Sequence, residues 1–129
     1  MFIFKRRENM RKVLIVDDSK TILKTAKLIL QDLYEIYLAN CGNMALDILE
    51  KKDIEIVLMD VDMPEMDGIE TVRRIREMEK VKDVPVVFFT ALGTKEIVEK
   101  CKAVGMSGYV LKPYRPDELI DTIKAVLHE

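Results

Sequence analysis

The amino-acid sequence predicts an open α/β fold: a doubly wound sheet of five parallel strands, with five helices covering both faces. Two observations lead there. Short apolar runs alternate five times with segments whose apolar residues recur at helical spacing. Most of those runs are continuous rather than alternating, which is the mark of parallel strands buried on both faces. At 129 residues, the chain is long enough for one such domain.

The elements follow in order. Val13-Leu-Ile-Val16 is too short for a helix and rich in β-branched residues, so it reads as the first strand. Residues 20–33 place Ile22, Leu23, Ala26, Ile29, Leu30 and Leu33 on one helical face, and Ser19 can cap the start. Residues 34–39 alternate more, as an edge strand does. Residues 43–52 carry Ala45, Ile48 and Leu49 on one face of a second helix. Ile56-Val-Leu-Met59 is the third strand. A helix is expected over 68–79, with Ile69, Val72 and Ile75 inward and Arg73, Arg74 and Arg76 outward. Pro85 opens the fourth strand, Val86-Val-Phe-Phe89, at the one strand position where proline costs little. A helix at about 94–104 uses Ile97, Val98, Cys101 and Val104, and Gly105 stops it. Tyr109-Val-Leu111 is the fifth strand. Pro116 suits the first turn of a last helix bearing Leu119, Ile120, Ile123, Val126 and Leu127.

Composition narrows the function classes. Hydrophobic residues make up 49% and charged residues 34%, an ordinary globular balance. Lys+Arg number 21 against Asp+Glu 23, so no basic field exists to draw in nucleic acid. Cys41 and Cys101 are far apart and the one histidine is His128, which excludes a disulfide framework and leaves too few ligands for structural zinc. The cysteines read as reduced, and the expected location is cytoplasmic. No apolar run approaches the ~20 residues of a membrane helix. Residues 1–9 read as a dispensable N-terminal extension and 10–129 as the domain; the first apolar stretch is too short for a signal sequence, and its charges follow it instead of preceding it.

In open α/β sheets the ligand crevice lies outside the carboxyl ends of the strands. Strand one ends in Asp17-Asp18, strand three in Asp60, strand four in Thr90 and strand five in Lys112. An Asp after a strand is commonly a turn former, a Thr a backbone partner and a Lys a solvated charge. Four such residues with matching chemistry on one edge form a candidate site. Clustered carboxylates repel, so a proton or a cation must relieve them. The donors are hard oxygens without His or Cys nearby, which selects a hard divalent ion, Mg²⁺ foremost, held by one or two carboxylates plus waters and a phosphate. An ammonium and a hydroxyl facing the same carboxylate complete a receptacle for a phosphoryl group, and a carboxylate can itself accept one.

Four segments carry a family resemblance: Val13-Leu-Ile-Val-Asp-Asp18; Val57-Leu-Met-Asp-Val-Asp-Met-Pro-Glu-Met-Asp-Gly68; Pro85-Val-Val-Phe-Phe-Thr-Ala91; and Gly108-Tyr-Val-Leu-Lys-Pro-Tyr114. In order and spacing they resemble the receiver domains of two-component response regulators, the CheY-like fold, over about residues 11–128. The resemblance implies a flavodoxin-like strand order of 2-1-3-4-5. It implies that Asp60 is the phosphoacceptor, with a histidine kinase or histidine phosphotransfer protein as donor and a downstream protein as target. Asp18 and Asp60 would bind Mg²⁺ directly, Asp17 through water, and the backbone carbonyl of Asp62 would complete the protein ligands. Lys112 would contact a phosphoryl oxygen across a cis bond to Pro113. The N–H of Ala91 would donate to the phosphoryl group, Thr90 would be the switch hydroxyl and Tyr109 the switch aromatic. Asp62 and Leu92 occupy positions that tune phosphoryl lifetime. The switching surface would be helix four, strand five and helix five.

No linker or output module follows the last helix, so the expectation is a stand-alone receiver acting by protein contact or phosphate relay, not on DNA or a membrane. Three alternatives compete with this reading. A degenerate receiver would act as a phosphorylation-independent binding module, but all five key residues are present. A haloacid-dehalogenase-like phosphatase would use Asp60-Val-Asp62 as its Asp-x-Asp motif, yet that motif normally sits on the first strand and Pro64 stands where a Thr is expected. A flavin binder on the same topology needs a Ser/Thr/Gly-rich loop where Asp17-Asp18 stands.

Overall fold

A computed structural model describes residues 9–129; the extension expected at 1–9 lies outside the described residues except for its last position. The strands are β1 (Lys12–Val16), β2 (Glu35–Ala39), β3 (Ile56–Met59), β4 (Val86–Thr90) and β5 (Gly108–Leu111). The helices are α1 (Lys20–Leu30), α2 (Gly42–Lys51), α3 (Gly68–Ile75), α4 (Lys95–Ala103) and α5 (Pro116–Leu127). All strand pairs are parallel, in the order β2-β1-β3-β4-β5.

The period of two along each strand sorts the core into two layers. Leu14, Val16, Val57, Met59, Val86 and Phe88 face one way and pack with Ala45, Leu49, Val72, Ile75 and Cys101 of α2, α3 and α4. Val13, Ile15, Ile56, Leu58, Val87, Phe89 and Val110 face the other way and meet Leu23, Ala26, Leu30, Leu119, Ile123 and Leu127 of α1 and α5. Each fully buried aliphatic side chain contributes roughly 1.5–3 kcal/mol. β2 is the half-buried edge, as its alternation foretold.

Local chemistry sets the helix starts. Ser19 accepts from the Ile22 N–H, Asp67 from Glu70 and Thr94 from Ile97. Gly105, at φ +90°, ends α4. Gly68 opens α3 against the end of β3, where a Cβ would stand 1.9 Å from the Asp60 carbonyl oxygen. Only glycine lets the helix approach so closely.

Three expectations need correction. α1 stops at Leu30, and Leu33 lies beyond it in a turn, 38% exposed. α2 is shifted by one residue at each end, with Cys41 at its cap position. α3 ends at Ile75 rather than running to residue 79, and Arg76 does not point outward. Its guanidinium donates to the carbonyls of Lys82 (3.0 Å), Val84 (2.7 Å), Val104 (3.3 Å) and Gly105 (2.5 Å). Those bonds stop the helix, because they fix the following loop against the C-terminus of α4. Lys80 acts similarly on α2, donating to the carbonyls of Glu50 and Lys52.

Candidate functional site

The residues ending β1, β3 and β5 are held by one further ladder bond each. Asp17 N–H donates to Ala39 O, Asp60 N–H to Val16 O, and Lys112 N–H to Thr90 O, at 3.0–3.1 Å. The sheet thus carries its rigidity one residue past the strands and delivers three charged side chains to one edge.

Asp17, Asp60 and Thr90 are buried, at 1%, 5% and 0% exposure, while Asp18 is exposed. The Asp17 carboxylate accepts from the Ser19 N–H at 2.9 Å, a turn that leads into α1. One oxygen from each of Asp17, Asp18 and Asp60 lies within 4.8 Å of the others. Lys112 reaches in from β5, its Nζ 2.5 Å from Asp17 Oδ2 and 3.5 Å from Asp60 Oδ1. Two of the three carboxylates therefore share one ammonium. Burial, followed by the charge of Asp17, pushes the Asp60 carboxyl up to about 6; Lys112 and the Thr90 hydroxyl pull it part of the way back.

This donor set fits a hard divalent cation. The oxygens are close enough to converge on one ion, and neither His nor Cys belongs to the cluster. The Asp62 carboxylate lies outside it, exposed beside the groove between α3 and α4. The second aspartate that a phosphatase of the Asp-x-Asp type requires is not in the cluster.

Thr90 and Tyr109 meet at one residue, Leu92. Thr90 Oγ1 accepts from the Leu92 N–H at 3.2 Å, and the Tyr109 hydroxyl donates to the Leu92 carbonyl. Tyr109 is half-buried against the α2–α3–α4 layer. Ala91 is exposed at the crevice edge, and the Lys112–Pro113 bond is cis. Cys41 and Cys101 are free; burial pushes the Cys101 thiol up to about 11, which keeps it protonated and inert. Sequence reasoning missed Phe89, whose ring lies under the Lys112 ammonium at 4.8 Å. The signal was available: Phe89 pairs with Val110, and Lys112 follows Val110 by two.

Among the described residues no helix is long and apolar enough to cross a membrane. Residues 13–124 match the response regulator receiver domain family. A chemotaxis protein CheY homolog of Campylobacter jejuni is 36% identical over 90% of this chain and 92% of its own length. The crystallised chemotaxis protein CheY4 of Vibrio cholerae is 36% identical and superposes with a TM-score of 0.87 over 91% of this chain and 98% of that one. The receiver domain of a sensor histidine kinase from Pseudomonas aeruginosa, described with a magnesium ion coordinated in its active site cleft, gives a TM-score of 0.85 at 27% identity, over 93% and 99%. The chain spans only 17% of another relative, a Vibrio cholerae autoinducer sensor kinase/phosphatase. Because the match runs from β1 into α5 and takes in every strand end just described, the chain belongs to the response regulator receiver domain family, with the CheY-like fold.

Proposed function

We propose that Asp60 is the acceptor of a phosphoryl group delivered by a histidine kinase or histidine phosphotransfer protein. In this reading the chain serves as a signalling phosphoacceptor rather than an enzyme with a separate substrate. The observation that carries it is the position of Asp60: buried among two other carboxylates, 3.5 Å from the Lys112 ammonium and facing the Thr90 hydroxyl.

Asp17, Asp18 and Asp60 would hold Mg²⁺, with the Asp62 carbonyl as a further ligand. When bound, the ion supplies positive charge against the carboxylates and the incoming phosphoryl oxygens. The chain does the rest. With its carboxyl near 6, Asp60 is ionised at neutral pH and its oxygen can attack phosphorus. The bond from phosphorus to the donor nitrogen breaks as the bond to the Asp60 oxygen forms, and the donor keeps the electron pair. Lys112 then trades part of its carboxylate contact for a phosphoryl oxygen, and the Ala91 N–H donates to another. Loss of the group is the reverse use of the same site, with water attacking phosphorus.

The phosphoryl group adds about −1.5 to −2 charges and three acceptor oxygens. Thr90 leaves Leu92 to donate to one of them, and the Leu92 backbone passes that movement to Tyr109. The α4–β5–α5 surface would present the result to a protein target. We place this action in the cytoplasm, where the two free cysteines stay reduced.

Intact mass tests the reading. Incubation with acetyl phosphate and Mg²⁺ adds one phosphoryl group to the wild type and none to Asp60→Ala. A wild type that gains nothing, while still binding Mg²⁺, is a phosphorylation-independent binding module instead.

A further inference from the structure

We propose that Phe89 is a positioning residue for the Lys112 ammonium, holding it over the site through its ring face. This rests on the reading of Lys112 as the group that meets the phosphoryl oxygens. Three groups face the Lys112 Nζ: Asp17 at 2.5 Å, Asp60 at 3.5 Å and the Phe89 ring, whose centroid is 4.8 Å away. The first two are carboxylates that the proposed metal ion would engage, and Asp60 would also carry the phosphoryl group. Phe89 is the only one of the three that carries no charge and takes no part in ligation.

The geometry is built into the sheet. Phe89 on β4 pairs with Val110 on β5, and alternation puts Val110 and Lys112 on the same face, so ring and lysine stem are diagonal neighbours. The ring is fully buried in the α1–α5 layer and cannot swing away. The Tyr114 ring braces it, 6.4 Å off and tilted by 50°.

The chemistry follows from this arrangement. A lysine has a flexible four-carbon stem, and two carboxylates alone would draw its ammonium down among the metal ligands. A ring face attracts a cation without neutralising it, and most strongly where water is excluded. Phe89 therefore gives Lys112 a resting contact that survives the exchange of carboxylate for phosphoryl oxygen. An aliphatic residue of similar size would fill the space and leave the ammonium without this third partner.

The test is a double-mutant cycle on the initial rate of phosphorylation by acetyl phosphate at saturating Mg²⁺. Phe89→Leu is expected to slow the reaction about three- to tenfold, the size of a partly desolvated cation–π contact. In a Lys112→Ala background the same substitution has no further effect, and Phe89→Tyr, which keeps the ring, stays within twofold of wild type. Where Lys112→Ala is too slow to follow, beryllofluoride affinity carries the same cycle. Equal slowing with and without Lys112 would reduce Phe89 to a core residue and overturn the proposal, as would no slowing by Phe89→Leu. If Phe89→Leu fails to fold, Phe89→Met is read by the same criteria. A wild type that takes up no phosphoryl group defeats the underlying reading first, and the positioning role with it; that outcome is distinct from a fast wild type whose rate ignores Phe89.

Discussion

The two ends of the sheet treat charge in opposite ways. At the amino end, ionic groups are half-buried or exposed, and matched. Arg11 lies 3.8 Å from Glu55 and 3.7 Å from Glu129, Lys12 lies 3.8 Å from Glu35, and Arg76 and Lys80 close the carbonyl ends of α4 and α2. At the carboxyl end, Asp17 and Asp60 are buried, Asp18 joins them, and the one ammonium in reach pairs with Asp17 and Asp60. The amino end is arranged for stability. The carboxyl end keeps unbalanced negative charge at a largely buried site, a cost that fits the proposed receipt of a cation and a phosphoryl group there.

The largest break comes at Gly68. Gly68→Ala drives a Cβ to within 1.9 Å of the Asp60 carbonyl and should cost about 3 kcal/mol or more, enough to show as a large fall in the urea midpoint. It also dislodges the end of β3, so phosphorylation should fall with stability.

Arg76→Ala probes the amino end. It leaves four carbonyls without their shared donor and should cost about 2–3 kcal/mol by urea unfolding. Phosphorylation at saturating Mg²⁺ should change less than twofold, which separates the two ends. A comparable loss of phosphorylation rate would contradict that separation.

Asp60→Asn should act in the opposite direction on the metal-free protein. The folded carboxyl sits near 6, above its ordinary value near 3.8, so the folded state binds the proton more tightly. Below about pH 4 both states are protonated and the charge costs nothing. The cost develops between about pH 4 and 6 and is complete above that, at about 1–3 kcal/mol. The substitution should therefore be neutral in acid and stabilising at pH 7.5, as read from thermal unfolding across that range.

The smallest effect is expected at Glu65, in the loop after β3, where a non-glycine residue sits at φ 69°. Asn tolerates this conformation better, and Glu65→Asn should add about 0.5 kcal/mol. A loss instead would show that the Glu65 side chain supports the loop.

Much of this is legible in the amino-acid sequence alone. The strands stood out because a strand buried on both faces is a continuous apolar run, and the turn residues that bound such runs are also the site. Asp17, Asp60, Thr90 and Lys112 could be placed on one edge by that reasoning alone. Helix ends were harder. The helix expected over 68–79 ends at Ile75, and Arg76 beyond it is bound to carbonyls from residues 82–105 that sequence neighbours do not reveal. Leu33 was assigned to α1 by its spacing, but the turn that leads into β2 takes the chain out of the helix first. Phe89 was hidden by being an ordinary core residue in every respect except what lies above its ring.

The most direct test of the contrast between the two ends is the melting temperature of wild type and Asp60→Asn at pH 7.5, with and without Mg²⁺. The account predicts that Asp60→Asn melts higher than wild type in EDTA, and that Mg²⁺ raises the wild type and closes the gap while moving the variant far less. A wild type more stable than Asp60→Asn in EDTA, or one that Mg²⁺ leaves unchanged, would contradict the claim that the carboxyl end holds unbalanced charge awaiting a cation.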